Sequence, residues 1–132
     1  MVILGIDPGY AIIGWGVLEY NANKFKVMDY GAVTTKANTP FPLRLADIYN
    51  GISEIIGKYQ PAVMSMEKLF YNNNAKTVID VAQARGVITL AAQQNGVKIA
   101  EYTPLQVKQS VTGYGRAVKK QVQEMTRIIL NL

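Results

Sequence analysis

Val2-Ile3-Leu4-Gly5-Ile6-Asp7-Pro8-Gly9 opens with five uncharged residues and ends at an acid followed by a turn. A short apolar run stopped by Pro-Gly reads as a buried strand, Val2 to Ile6, with Asp7 at its end. Ala62-Val63-Met64-Ser65-Met66 repeats the arrangement and is closed by Glu67. Ile12 to Tyr20 and Phe25 to Val33 read as two more strands, joined by the turn residues Asn21-Ala22-Asn23. Three strands with short connections predict an antiparallel meander.

Further along, the period changes. Leu45, Tyr49, Ile52, Ile56 and Tyr59 recur at helical spacing after Pro40-Phe41-Pro42, and Pro61 ends that region. Asn72-Asn73-Asn74 is a loop that could cap a second helix, marked by Val78, Val81, Ala82, Arg85, Ile88 and Ala92 and ended by Asn95-Gly96. Val97 to Tyr102 is a fifth strand. Thr103-Pro104-Leu105-Gln106 has the form of a capping box and opens a short helix to about Gln109. Thr112 to Gly115 reads as a loop, and Val118, Val122, Met125 and Ile129 put an apolar stripe on a last helix. Crossovers through helices favour parallel pairing of the first, fourth and fifth strands. The prediction is an α/β fold of ribonuclease H-like arrangement, a mixed five-stranded sheet flanked by helices, in one domain over residues 1–132.

Composition restricts the chemistry. The 132 residues include no histidine and no cysteine, so thiolate nucleophiles, imidazole bases and ordinary zinc sites are set aside. Carboxylate, hydroxyl, lysine and hard metal ions remain. No apolar run approaches the ~20 residues that span a bilayer, so no membrane partner is expected. The start has no basic n-region and does not read as a signal peptide, which leaves the cytoplasm as the expected location. The net charge of +5 is unevenly placed: residues 103–132 hold five basic residues against Glu124 alone, a net of +4. Such a segment is either a polyanion-binding surface or a solvated helix face.

If the strands ending at Asp7 and Glu67 are parallel neighbours, both carboxylates emerge at one carboxyl edge of the sheet, where open α/β sheets place ligands. Two carboxylates held close repel, and one is protonated unless a cation intervenes. Mg²⁺ suits such a site because it prefers oxygen ligands and keeps waters for substrate phosphates. Taken alone, Asp-Pro-Gly is also an ordinary turn, and Glu67 could be a solvated strand end. Phe70 and Tyr71 follow Glu67 closely and could stack on unpaired bases, or cover the neighbouring helix. Gln109 to Lys120 mixes glycine with Tyr114, Arg116, Lys119 and Lys120, which suits phosphate contacts and equally a surface loop.

Ile3-Leu4-Gly5-Ile6-Asp7-Pro8-Gly9 with Gly14-Trp15-Gly16 resembles the opening of RuvC-type Holliday-junction resolvases. Glu67-Lys68-Leu69-Phe70, Gln83-Ala84-Arg85-Gly86, Gln106-Val107-Lys108 and Gly113-Tyr114-Gly115-Arg116-Ala117 through Gln123 are similar to later segments of the same family. The resemblance implies a homodimeric, Mg²⁺-dependent endodeoxyribonuclease that nicks four-way junction DNA and works with a branch-migration motor complex. It makes Asp7 and Glu67 metal ligands, and Phe70 the aromatic at the junction centre. Lys108 and Lys119 become the basic residues near the scissile phosphate and DNA backbone, and the helix beginning near Asn74 carries the dimer contact. The family continues into a final acidic helix, so the resemblance also implies a C-terminally truncated form with half its metal carboxylates and reduced cleavage.

Three other readings stand beside this one. A junction-binding module without cleavage fits the same residues, as does a related nuclease acting on RNA. Gly5 to Gly9 also resembles the first phosphate loop of actin-like ATPases, but those need a second domain and a second loop, and this sequence has no second copy.

Overall fold

A computed structural model of the chain describes residues 1–68 and 75–132. The elements are β1 (Val2–Asp7), β2 (Ile12–Asn21), β3 (Lys24–Thr34), α1 (Phe41–Tyr59), β4 (Val63–Glu67), α2 (Ala75–Gln94), β5 (Lys98–Tyr102), α3 (Pro104–Thr112) and α4 (Lys119–Ile129). They build the expected mixed sheet, in the order β3-β2-β1-β4-β5. β1 pairs antiparallel with β2 and β2 with β3, while β1–β4 and β4–β5 are parallel. The β2–β3 turn puts Ala22 and Asn23 at positive φ, and the Tyr20 hydroxyl donates to Asn23 Oδ1 at 2.8 Å.

Strand alternation gives the sheet two unlike faces. Leu4, Ile6, Ile13, Val17, Met64 and Met66 point to one face and are buried. Against them pack Ile48, Ile52 and Ile56 of α1 and Ala84, Ile88, Ala91 and Ala92 of α2. Each large aliphatic buried there contributes about 1.5–3 kcal/mol. The small alanines let α2 lie close to the sheet and to α1. A Cβ on Gly51 would stand 2.9 Å from Val33, so α1 also approaches β3 closely.

The other face is sparsely covered. Register sets Leu18, Ile3 and Val63 in one row across it, Gly16, Gly5, Ser65 and Ala100 in the next, and Gly14, Asp7, Glu67 and Tyr102 at the carboxyl edge. A groove of about 440 Å³ runs over these rows, closed on one side by Val107 of α3 and by Leu130.

Two boundaries and one buried face differ from the sequence reading. α1 begins at Phe41, with proline in its first turn, because proline is tolerated where the backbone N–H has no intrahelical partner. α3 runs to Thr112, whose hydroxyl donates back to Lys108 O at 2.7 Å, and Gly113 at φ 76° ends it. The α4 stripe is only half buried: Val122 and Met125 are partly covered, Val118 and Ile129 exposed. The reason is that α4 packs chiefly on α3. No helix among the described residues is long and apolar enough to cross a membrane.

Candidate active site

Asp7 and Glu67 are the last residues of β1 and β4. The parallel ladder pairs Ile6 with Met66, so the two carboxylates come next on adjacent strands and share a face. Backbone pairing fixes both: Asp7 lies opposite Gly14, and Glu67 opposite Tyr102, with the Lys68 N–H donating to Tyr102 O at 2.7 Å. The turn after Asp7 is tight, since a Cβ on Gly9 would stand 2.4 Å from Ile12 O. Gly14 opposite Asp7 leaves that side chain uncrowded.

Asp7 is exposed and Glu67 half-buried. Burial pushes the Glu67 carboxyl above its ordinary value, the neighbouring Asp7 charge adds to the rise, and Lys108 partly offsets it. Both acids line the sheet groove and also a crevice of about 190 Å³ formed with Pro8, Lys68, Val81, Arg85 and Pro104. On its other side Glu67 shares a groove of about 340 Å³ with Lys108 and Lys119. Glu67 is therefore common to both spaces, with Asp7 on one side of it and Lys108 and Lys119 on the other.

The remaining candidates lie elsewhere. Tyr114 and Lys120 line a separate hollow between the end of α3 and α4, with Glu124 and Met125. Arg116 is exposed on the same loop, which the Thr112 hydroxyl ties down by accepting from Tyr114 N at 3.0 Å. Phe70 and Tyr71 fall outside the described residues. Sequence reading put Arg85 on a helix face without a role. It forms an ion pair with Glu101 of β5 and helps wall the crevice beside Asp7 and Glu67.

The donor set fits a hard divalent ion: two carboxylates held close enough to repel, in a sequence with no imidazole or thiolate to compete as ligand. Among the described residues, no group of three or more carboxylates comes together. Two carboxylates leave most positions of an octahedral ion to water or substrate oxygens.

The family model described as crossover junction endodeoxyribonuclease RuvC matches residues 3–132. The chain belongs to the RuvC family. The crossover junction endodeoxyribonuclease RuvC of Ruminiclostridium cellulolyticum is 55% identical over all 132 residues, which span 80% of that protein. That of Clostridioides difficile is 56% identical over the same span, 78% of its length. Among solved structures, Thermus thermophilus RuvC in complex with a Holliday junction substrate superposes with a TM-score of 0.94 at 33% identity. The match covers all of this chain and 81% of that one. The RuvC likeness confirms the fold expected from the strand order, and RuvC membership carries divalent-metal use with it.

Proposed function

We propose that this chain is the nuclease domain, residues 1–132, of an endodeoxyribonuclease that resolves four-way DNA junctions by hydrolysing phosphodiesters. The observation that carries the reading is the pair Asp7 and Glu67 at the ends of adjacent parallel strands, with Lys108 and Lys119 beside Glu67. Asp7 and Glu67 would hold a divalent ion, Mg²⁺ by the chemistry of the donors. When bound, that ion supplies Lewis-acid stabilisation of the phosphoryl group and lowers the pKa of water. Lys108 and Lys119 balance phosphate charge. Phe70 and Tyr71 stack on bases at the branch point, and Tyr114, Arg116, Lys119 and Lys120 follow the backbone.

A homodimer would place two such sites on one junction. Its support is the outer face of α2, where exposed Ile79 and Leu90 flank exposed Ala82 and Gly86 at helical spacing. Acidic residues on a further helix, as the family resemblance implies, would seat on the open sheet face and complete the ligand set. The branch-migration motor is the proposed partner, and the cytoplasm, which holds the substrate DNA, the proposed location.

The test is cleavage of a synthetic four-way junction with Mg²⁺, by the chain and by a version extended with an acidic helix of its relatives. Cutting is expected from the extended form and should be lost in Asp7→Asn. Unchanged cutting by that variant would sink the assignment. The small count of carboxylates favours a second reading for residues 1–132 alone: junction binding without cleavage. Gel shifts that persist where cleavage fails would establish it.

A further inference from the structure

The turn that follows Asp7 is held by a chain of contacts from α1, formed by three residues far apart in sequence. Arg44 Nε donates to Thr35 Oγ1 at 2.9 Å, and the Thr35 hydroxyl donates onward to Tyr10 O at 2.6 Å. Thr35 N–H also donates to Ala11 O at 2.9 Å. The Arg44 guanidinium lies 5.1 Å from the centre of the Tyr10 ring, and Phe41 meets the same ring at 6.2 Å. One threonine hydroxyl thus accepts from a cation and donates to a carbonyl, which strengthens both bonds. The cation also rests on the aromatic face of the residue whose carbonyl it steadies. Tyr10, Thr35 and Arg44 are all half-buried, so water competes weakly for these bonds.

We propose that Arg44 is a positioning residue for Asp7, acting through Thr35 and the Pro8–Tyr10 turn. The Asp7 side chain is exposed, and its strand ends where the turn begins. The turn bends sharply at Gly9, where Ile12 O approaches too closely for a Cβ. A turn that tight, pinned at Tyr10 and Ala11, holds the strand end in one place. Without the pin, the turn opens and Asp7 samples positions away from Glu67. Arg44 touches neither carboxylate, and its effect on a bound ion is indirect. The inference rests on the reading of Asp7 as a metal ligand.

Three variants separate geometry from charge: Arg44→Met, Arg44→Lys and Thr35→Val. Amide exchange at Thr35 and the Asp7 carboxylate carbon shift report the turn. Mn²⁺ titration, followed by water-proton relaxation, reports the ligand pair, and thermal melting shows that each variant is folded. Faster exchange at Thr35, a moved Asp7 resonance and Mn²⁺ affinity lower on the order of tenfold are expected in all three. Arg44→Lys keeps the charge but not the planar fork, so it should not restore the native values. Native exchange and a native Asp7 shift in folded Arg44→Met and Thr35→Val would overturn the proposal. So would full rescue by Arg44→Lys, which would make Arg44 a charge and nothing more. Asp7→Asn is the control. If it leaves Mn²⁺ affinity unchanged, the ligand reading fails, and the exchange and shift data alone still decide whether Arg44 positions Asp7.

Discussion

Asp7 and Glu67 stand one step beyond the paired residues Ile6 and Met66, on parallel strands whose hydrogen-bonded ladder holds them side by side. A fold that spends no effort separating two acids keeps their repulsion, and the half-buried Glu67 feels it more because it is also desolvated. That frustration is relieved by protonation or by a cation. The site is thereby built to be less comfortable empty than filled, which is the thermodynamic condition for a metal to stabilise the fold.

The pH dependence of stability follows from this. Glu67 has its folded pKa raised, so between the ordinary glutamate value and the raised one the native chain keeps a proton that the unfolded chain has released. Native stability therefore falls as pH climbs through that window. Metal-free melting curves between about pH 4 and 8 should show the decline in the native protein. It should be absent in Glu67→Gln and smaller in Asp7→Asn. Added Mg²⁺ should reverse it at the upper end. A native profile indistinguishable from that of Glu67→Gln would contradict the electrostatic account.

The two lysines near Glu67 should behave differently from one another. Lys108 is half-buried and close enough to lower the Glu67 pKa, so Lys108→Met should push that carboxyl further up in a ¹³C-detected titration. Lys119 is exposed and serves the DNA backbone in this reading. Lys119→Ala should weaken binding uniformly across sequences and reduce the slope of log affinity against log salt by about 1. An unchanged salt slope would remove Lys119 from the DNA path.

Much of the fold was legible because buried strands here are nearly pure apolar runs, and their ends carry the charges. Asp7 and Glu67 could be read as partners because an antiparallel meander followed by one helical crossover favours returning the fourth strand parallel to the first. Other features depend on contacts that no local pattern encodes. Arg44, Thr35 and Tyr10 meet across up to 34 positions of sequence, and none stands out alone. Arg85 looked like one more residue of a helix face until Glu101 was placed opposite it. The α4 stripe was legible as amphipathic, but amphipathicity does not say what covers the apolar side, and Val118 and Ile129 remain exposed. α3 outran its expected end because the glycine that closes it is Gly113, at φ 76° with its N–H bonded to Gln109 O at 2.7 Å, a stop that propensity does not place.

Two substitutions test how local packing supports the site. Gly9→Ala puts a methyl within 2.4 Å of Ile12 O, so the turn must open. A loss of about 1–3 kcal/mol is expected, the ordinary cost of backbone strain, together with weaker Mn²⁺ binding. Ile88→Ala removes a fully buried side chain from beneath the sheet. It should cost about 2–5 kcal/mol in urea unfolding yet leave metal affinity nearly native, because Ile88 lies on the opposite face from the carboxylates. If Gly9→Ala bound metal as the native protein does, the turn would have no hold on Asp7.

The outer face of α2 allows a prediction in which monomer stability and assembly move in opposite directions. Gly86 sits mid-helix with open space where a Cβ would go, between Ala82 and the half-exposed Leu90. Any side chain there should stabilise the isolated helix by roughly 0.5–1 kcal/mol, because glycine costs backbone entropy. If the face joins two copies, however, Gly86→Glu places unpaired charges at the centre of the contact, where they repel across the two-fold. Sedimentation should therefore show the variant monomeric at concentrations where the native chain is dimeric, while its melting temperature, extrapolated to infinite dilution, is no lower. Junction binding should weaken in step, since one copy reaches only half of a symmetric substrate. A variant that stays dimeric would move the interface off α2, and one that unfolds would mean that Gly86 is packed against something in the monomer, contrary to the space around it.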